Sequence, residues 1–164
     1  MEIERKFLVK SLPEDLENYH SLKIKQGYLC TNPVIRIRQS NNDYYLTYKG
    51  KGFMVREEHE FPLTKEAFEH MLPKTDDNII EKTRYLIPLD DFLTVHLDIF
   101  EGRLAPLQLA EVEFDSKAAA TYFRPPEWFG EEVTAGKGQI SQPTQVANSI
   151  TMEYGAALIG VEQL

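Results

Sequence analysis

Glu2, Glu4 and Lys6 stand two residues apart at the start of the chain. Side chains on a β-strand alternate faces with period 2, so these three share one face while Ile3, Phe7 and Val9 share the other. Two carboxylates and an ammonium on one strand face can hold a metal ion and a phosphate side by side. The pattern recurs. Arg36 and Arg38 align against Ile35 and Ile37, and Lys49 falls in line with Thr47 and Tyr45. Arg56, Glu58 and Glu60 share a parity, as do Lys82 and Arg84. His96 and Asp98 oppose Val95, Leu97 and Ile99, and Glu111 and Glu113 oppose Ala110, Val112 and Phe114. The aligned faces hold seven acids (Glu2, Glu4, Glu58, Glu60, Asp98, Glu111, Glu113) and seven bases (Lys6, Arg36, Arg38, Lys49, Arg56, Lys82, Arg84).

The elements that must position these residues are strands. Period-2 alternation of Ile, Val, Tyr and Phe predicts eight of them, over 2–9, 22–30, 34–40, 43–50, 54–62, 79–88, 92–101 and 107–115. Asn41-Asn42-Asp43, Gly50 with Gly52, Asp90-Asp91 and Gly102 mark the turns between them. Ser11 to Asn18 reads as a short turn or helix with Pro13 near its first turn. Thr64 to Leu72 reads as a helix capped by Thr64, stapled from Leu63 to Phe68 and stopped by Pro73. Asp115 is positioned to cap a helix over Lys117–Phe123. Trp128 and Phe129 mark a docked segment, and Val146, Ile150, Tyr154 and Leu158 are spaced for a final helix over 144–159.

Length and composition narrow the class. With 164 residues and 42% apolar composition the chain is expected to form one domain, 1–164, with a sizeable core. A net charge of −8 argues against a general nucleic-acid or membrane-surface binder. Cys30 is the only cysteine, which excludes an internal disulfide and a cysteine-based metal cluster and fits a reducing cytoplasm. Charges at positions 2, 4, 5 and 6 leave no apolar signal-peptide region, and no stretch reaches the ~18 apolar residues of a membrane helix.

Antiparallel sheets often solvate one face, and one charged strand face requires nothing more. The whole set requires more. The opposite faces are apolar and must be covered by the helices. A sheet of eight strands tends to curl or close, which turns the charged faces inward. An interior holding both signs at this density is costly unless ions or ligands compensate it. The bases suit a polyanion and the acids suit divalent cations, together a metal–polyphosphate complex. Phosphate-binding glycine loops, zinc-protease motifs and serine-hydrolase motifs are absent. His20, His59, His70 and His96 read as surface or packing residues.

The ordered series Glu2-Ile-Glu4-Arg-Lys6, Arg36-Ile-Arg38, Tyr48-Lys49-Gly50, Arg56-Glu-Glu58-His-Glu60, Lys82-Thr-Arg84-Tyr85, Asp98 and Glu111-Val-Glu113 resembles the CYTH superfamily, the triphosphate tunnel metalloenzymes, over nearly the whole chain. The resemblance implies an α+β, mainly β fold: an eight-stranded antiparallel closed β-barrel with helices packed outside and a C-terminal plug helix. It implies that Lys6, Arg36, Arg38, Lys49 and Arg84 cradle phosphates, supported by Arg56 and Lys82. Glu111 and Glu113, with Glu58 or Glu60, would hold a first Mg²⁺ or Mn²⁺ ion. Glu2 and Glu4 would hold a second ion or orient the attacking water, and Asp98 would ligate a metal or position an arginine. Lys137 would be the plug's phosphate contact or a solvated loop lysine.

The activity implied is metal-dependent hydrolysis of the terminal phosphate of a small-molecule triphosphate, with inorganic tripolyphosphate favoured. Thiamine and nucleoside triphosphates remain open as substrates. A class IV adenylate cyclase uses the same motifs. A polyphosphate-binding module without catalysis would not need the acids. No nucleic-acid or membrane partner is expected, and the oligomeric state stays open between monomer and homodimer.

Overall fold

The computed structural model describes residues 2–51, 55–76, 79–90 and 92–134. The described residues form β1 (Glu2–Val9), β2 (His20–Thr31), β3 (Val34–Ser40), β4 (Asp43–Lys49), β5 (Val55–Arg56), β6 (Glu58–Pro62), β7 (Ile80–Pro88), β8 (Thr94–Phe100), β9 (Gln108–Glu113) and β10 (Phe129–Glu132), with helices α1 (Lys65–Met71) and α2 (Lys117–Tyr122). Hydrogen-bonded neighbours run β10-β1-β9-β8-β7-β2-β3-β4-β6, and β5 pairs back onto β1. All pairings are antiparallel.

Closure depends on two junctions. The stretch predicted as one strand over 54–62 is two, separated by Glu57: β5 pairs with Glu2 and Ile3, whereas β6 pairs with β4. One stave thus joins the first strand to the fourth. With β5 and β6 counted as that single stave and β10 set aside, eight staves complete the ring. β10, foreseen only as a docked segment, pairs with Phe7 and Val9 on the edge of β1 that β5 uses further up.

The turns follow the local chemistry. Asn41 adopts φ 53°, a left-handed conformation that asparagine tolerates, between β3 and β4. The Asp90 side chain accepts hydrogen bonds from the backbone N–H groups of Phe92 and Leu93 and so shapes the β7–β8 turn. The Thr64 hydroxyl accepts from the Ala67 N–H and starts α1. Pro73 does not end the chain's helical course outright; a 3-10 turn over Leu72–Lys74 follows α1. Ser116, not Asp115, caps α2 by accepting from the Ala119 N–H. Phe114 still donates its N–H to Ile3, so pairing with β1 continues one residue past β9, within the 107–115 predicted. The segment read as a short turn or helix over Ser11–Asn18 contains a 3-10 turn at Leu16–Asn18.

The core lies in two places. Outside the barrel, Phe7, Ile87, Val95, Leu97, Ala110, Val112 and Phe114 pack with Ala120 of α2 and with Phe129, while Phe68 of α1 lies 5.2 Å from the Tyr44 ring. A second cluster contains Tyr28, Val34, Ile80, Phe100 and Leu109, with Leu104, Leu107 and Val133 beside them and Leu8 packed against it. Leu8, Val34, Ile80, Phe100 and Leu109 share the parity of the inward charged residues on their own strands, and Tyr28 stands opposite Arg36 in the sheet register. They therefore fill one end of the barrel interior, and the interior is not polar along its full length.

Arg5, on the outward face of β1, secures the junction. Its guanidinium donates to Glu132 through Nε at 2.9 Å and Nη2 at 2.6 Å, and through Nη1 to the carbonyl oxygens of Ala120 and Phe123. It also lies over the rings of Phe7 and Phe123. One side chain thus ties β1, β10 and the end of α2 together. No helix among the described residues is long and apolar enough to cross a membrane. Lys137 and the segment 144–159 lie outside the described residues. Arg5→Met should lower unfolding stability by about 3 kcal/mol, because it leaves the largely buried Glu132 carboxylate without its guanidinium. Arg5→Lys should recover only part of this, since an ammonium lacks the planar fork. Denaturant unfolding with Arg5→Met equal to wild type would refute the assignment.

Candidate active site

A cavity of about 200 Å³ occupies the barrel interior next to the apolar end. It is lined by Glu2 and Lys6 of β1, Arg36 and Arg38 of β3, Lys49 of β4, Arg56 of β5, Glu58 and Glu60 of β6, Lys82 and Arg84 of β7, and Glu111 and Glu113 of β9. Glu4 and Asp98 are buried and bind cations of this wall. Every predicted residue among those described therefore belongs to one interior. The register explains why: Lys6 faces Glu111, Glu4 faces Glu113, Arg84 faces Asp98 and Lys49 faces Glu58 across neighbouring strands.

Gln26, Tyr28, Val34 and His96 also line the cavity. Gln26 and Tyr28 fall on the inward parity of β2, but that face carries no charge, so nothing in the sequence flagged it. The sequence reads His96 as a surface or packing residue. It stands opposite Glu111 in the sheet, and burial together with Arg84 lowers its basicity.

Three sets of ion pairs organise the wall. Lys49 donates to both carboxylate oxygens of Glu2 at 2.9 and 3.1 Å, and Arg56 lies 3.6 Å from Glu2. Lys6 pairs with Glu4 at 2.9 Å. Asp98 accepts from Lys82 at 2.6 Å and from two nitrogens of Arg84 at 2.7 and 2.8 Å. Of the two roles open for Asp98, this geometry supports positioning of bases.

Two groups of charges lie outside these pairs. Among the described residues, no carboxylate comes within ion-pair distance of Arg36 or Arg38. Arg36 donates to the Thr47 hydroxyl at 3.2 Å, and its buried Nε has no partner. Arg38 donates to Gln26 at 2.8 Å. Glu58, Glu60, Glu111 and Glu113 likewise have no base within ion-pair distance among the described residues. Uncompensated cations on β3 and uncompensated acids on β6 and β9 thus share one enclosed space.

The protonation equilibria register that imbalance. Burial raises the Glu113 carboxyl, and the neighbouring Glu2, Glu4 and Glu111 push it the same way. Burial also raises Glu2, reinforced by Glu58 and opposed by Lys49. Burial pushes Glu4 upward, but the Lys6 and Lys49 ammoniums outweigh it and hold the carboxyl at about 2. Asp98 resists burial because Arg84 and Lys82 both face it, and it sits well below the usual carboxylate range. Lys82 is pushed down to about 7 by burial; Asp98 offsets this only in part, and Arg84 and Arg38 add to it. Both groups shift downward, which strengthens the charge on Asp98 and weakens that on Lys82, because one carboxylate serves two bases. Burial, with Arg36 and Arg84 alongside, also weakens the hold of Arg38 on its proton.

These observations also test whether a divalent metal fits. The free donors are all carboxylate oxygens, the set that hard cations such as Mg²⁺ and Mn²⁺ accept. Their mutual repulsion is what a cation would relieve. Among the described residues no three acidic, histidine or cysteine side chains are already gathered into a cluster able to hold an ion alone. A Mg²⁺-like ion bound through one or two carboxylates and completed by phosphate oxygens and water needs no such cluster.

The shifts predict a pH dependence of the ligand-free protein. Lys82 titrates near 7 when folded and near 10.5 when unfolded, so the unfolded chain holds more protons between these values. Its contribution to stability therefore increases as pH rises from 7 to 10.5. Glu4 works at the acid end: its stabilisation is complete above pH 4.5 and is lost as pH falls toward 2. Thermal unfolding across the alkaline window should show wild type gaining on Lys82→Met with rising pH. Parallel curves would refute the shift.

The CYTH domain family profile matches residues 1–141. An inorganic triphosphatase of Nitrosomonas europaea is 45% identical over 139 residues, which cover 83% of this chain and 91% of the relative. An inorganic triphosphatase of Acetivibrio thermocellus is 33% identical over 144 residues, covering 81% and 85%. A crystal structure of an inorganic triphosphatase superposes with a TM-score of 0.61 at 41% identity, over 87% of this chain and 91% of that one. A chain from Hippeastrum, 16% identical with a TM-score of 0.60 over 74% of this chain and 83% of its own, shares the fold. The family match spans every strand that carries the charged interior, and by that match the chain belongs to the CYTH domain family.

Proposed function

We propose that the protein is a metal-dependent triphosphatase that hydrolyses inorganic tripolyphosphate to pyrophosphate and orthophosphate. The observation that carries this reading is that Arg36 and Arg38, which have no ion-pair partner among the described residues, share a cavity with four glutamates of which the same holds. A polyanion satisfies the first set and divalent cations the second. The relatives named as inorganic triphosphatases support the same substrate class. At about 200 Å³ the cavity lies below the roughly 300–1,000 Å³ of pockets that enclose drug-sized ligands, which favours a compact inorganic substrate over an enclosed nucleoside.

Arg36 and Arg38 bind phosphate oxygens through their planar forks. Lys6, Lys49, Arg56, Lys82 and Arg84 surround the substrate as bases already oriented by Glu4, Glu2 and Asp98. Together they spread the charge that the transferring phosphoryl group develops on its outer oxygens. Glu111 and Glu113, with Glu58 or Glu60, would hold one Mg²⁺ or Mn²⁺ ion, and Glu2 and Glu4 would either hold a second or orient the attacking water. The ions, when bound, neutralise phosphate charge and polarise the attacking water. Of the two N-terminal carboxylates, Glu2 is the better proton acceptor, because its affinity for a proton is raised and that of Glu4 is lowered. Water attacks the terminal phosphorus in line, the bond to the bridging oxygen breaks, and the water's proton passes to Glu2.

Product analysis tests this directly. With Mg²⁺ or Mn²⁺, tripolyphosphate should yield orthophosphate and pyrophosphate, and ATP should yield no cyclic AMP. A chelator should abolish turnover, and Glu111→Gln should reduce it by at least about 100-fold. Near-normal turnover by Glu111→Gln would remove the metal role, and cyclic AMP from ATP would replace the triphosphatase reading with a cyclase.

A further inference from the structure

The interior bases differ in what holds them. Lys6, Lys49, Arg56, Lys82 and Arg84 are each set against a carboxylate. Arg38 is set against a neutral amide. Its Nε donates to Gln26 Oε1 at 2.8 Å, and Gln26 Nε2 donates to the Tyr28 hydroxyl at 3.0 Å. The orientation of the amide is fixed by its neighbour: an arginine Nε can only donate, so it must face the oxygen. Gln26 is 2% exposed, pairs with Arg38 in the sheet register, and lines the cavity with it.

A carboxylate at this position would hold the arginine as well but would neutralise it and repel an incoming phosphate. An amide fixes the guanidinium through one nitrogen and leaves its charge and its two terminal nitrogens for a ligand. We propose that Gln26, braced by Tyr28, is a positioning residue that aims Arg38 at a phosphate group of the substrate without neutralising it. The proposal rests on the triphosphate reading of the cavity.

The test compares wild type, Gln26→Glu and Gln26→Met in tripolyphosphate turnover with Mg²⁺, and in thermal unfolding without substrate. Gln26→Glu should raise KM about tenfold or more with a smaller change in kcat, because it weakens binding of substrate and transition state alike. The same variant should unfold at or above the wild-type temperature, because the new carboxylate compensates a buried guanidinium. Stability and substrate binding thus move in opposite directions, whereas a merely structural residue would move them together. Gln26→Met should lower kcat/KM and the unfolding temperature together by freeing the guanidinium, and its effect should shrink in an Arg38→Lys background. Gln26→Glu with wild-type KM, or Gln26→Met equally damaging with and without Arg38, overturns the positioning role while the triphosphatase reading stands. Wild-type protein that releases no phosphate from tripolyphosphate overturns that reading and the proposal with it.

Discussion

Charges of both signs cannot be enclosed in a barrel unless each finds a partner, and this constraint governs the rest of the structure. Isolated ions in a low-dielectric interior cost several kcal/mol each. Glu2 therefore takes Lys49 and Arg56, Glu4 takes Lys6, and Asp98 takes Lys82 and Arg84. These pairs are orienting devices as much as neutralising ones. They hold the bases before a ligand arrives, so that binding does not have to order long flexible side chains. Among the described residues two arginines and four glutamates lie outside these pairs, and they are the charges that the proposed substrate and ions would complete.

The barrel exists in this form because β1 is shared. One of its edges pairs with β9, and the other is divided between β5 and β10. That division places Glu2 beside Arg56 and brings Val133 and Thr134 alongside Lys6, whose N–H donates to the Thr134 hydroxyl at 2.8 Å. The first strand is thus the structural seam and also supplies three charged groups to the site. A change that shifts its register by one residue would turn Glu2, Glu4 and Lys6 out of the barrel together.

Much of this was legible because charge and period coincide. Seven of the eight staves carry inward charge, five of them at alternate positions and β4 and β8 as a single residue, and each of those parities points inward as expected. The eighth, β2, presents Gln26 and Tyr28 inward and carries no such signal. The break at Glu57 was hidden because Arg56 and Glu58 keep one parity although they pair with different strands. β10 is four residues long with adjacent acids, too short to show a period. Which acid takes which base was also out of reach. Glu2 and Lys49 lie 47 residues apart and on strands that are not paired, so only the closed ring brings them together.

The apolar cluster at one end of the interior gives the chamber a direction. Leu8, Val34, Ile80, Phe100 and Leu109 offer no partner to a hydrated anion, so passage through them would require stripping a multiply charged species of its water. Anything charged must come and go on the remaining side. In the reaction proposed, substrate, phosphates and ions would share that route, and a fresh triphosphate would not push the old products out ahead of it.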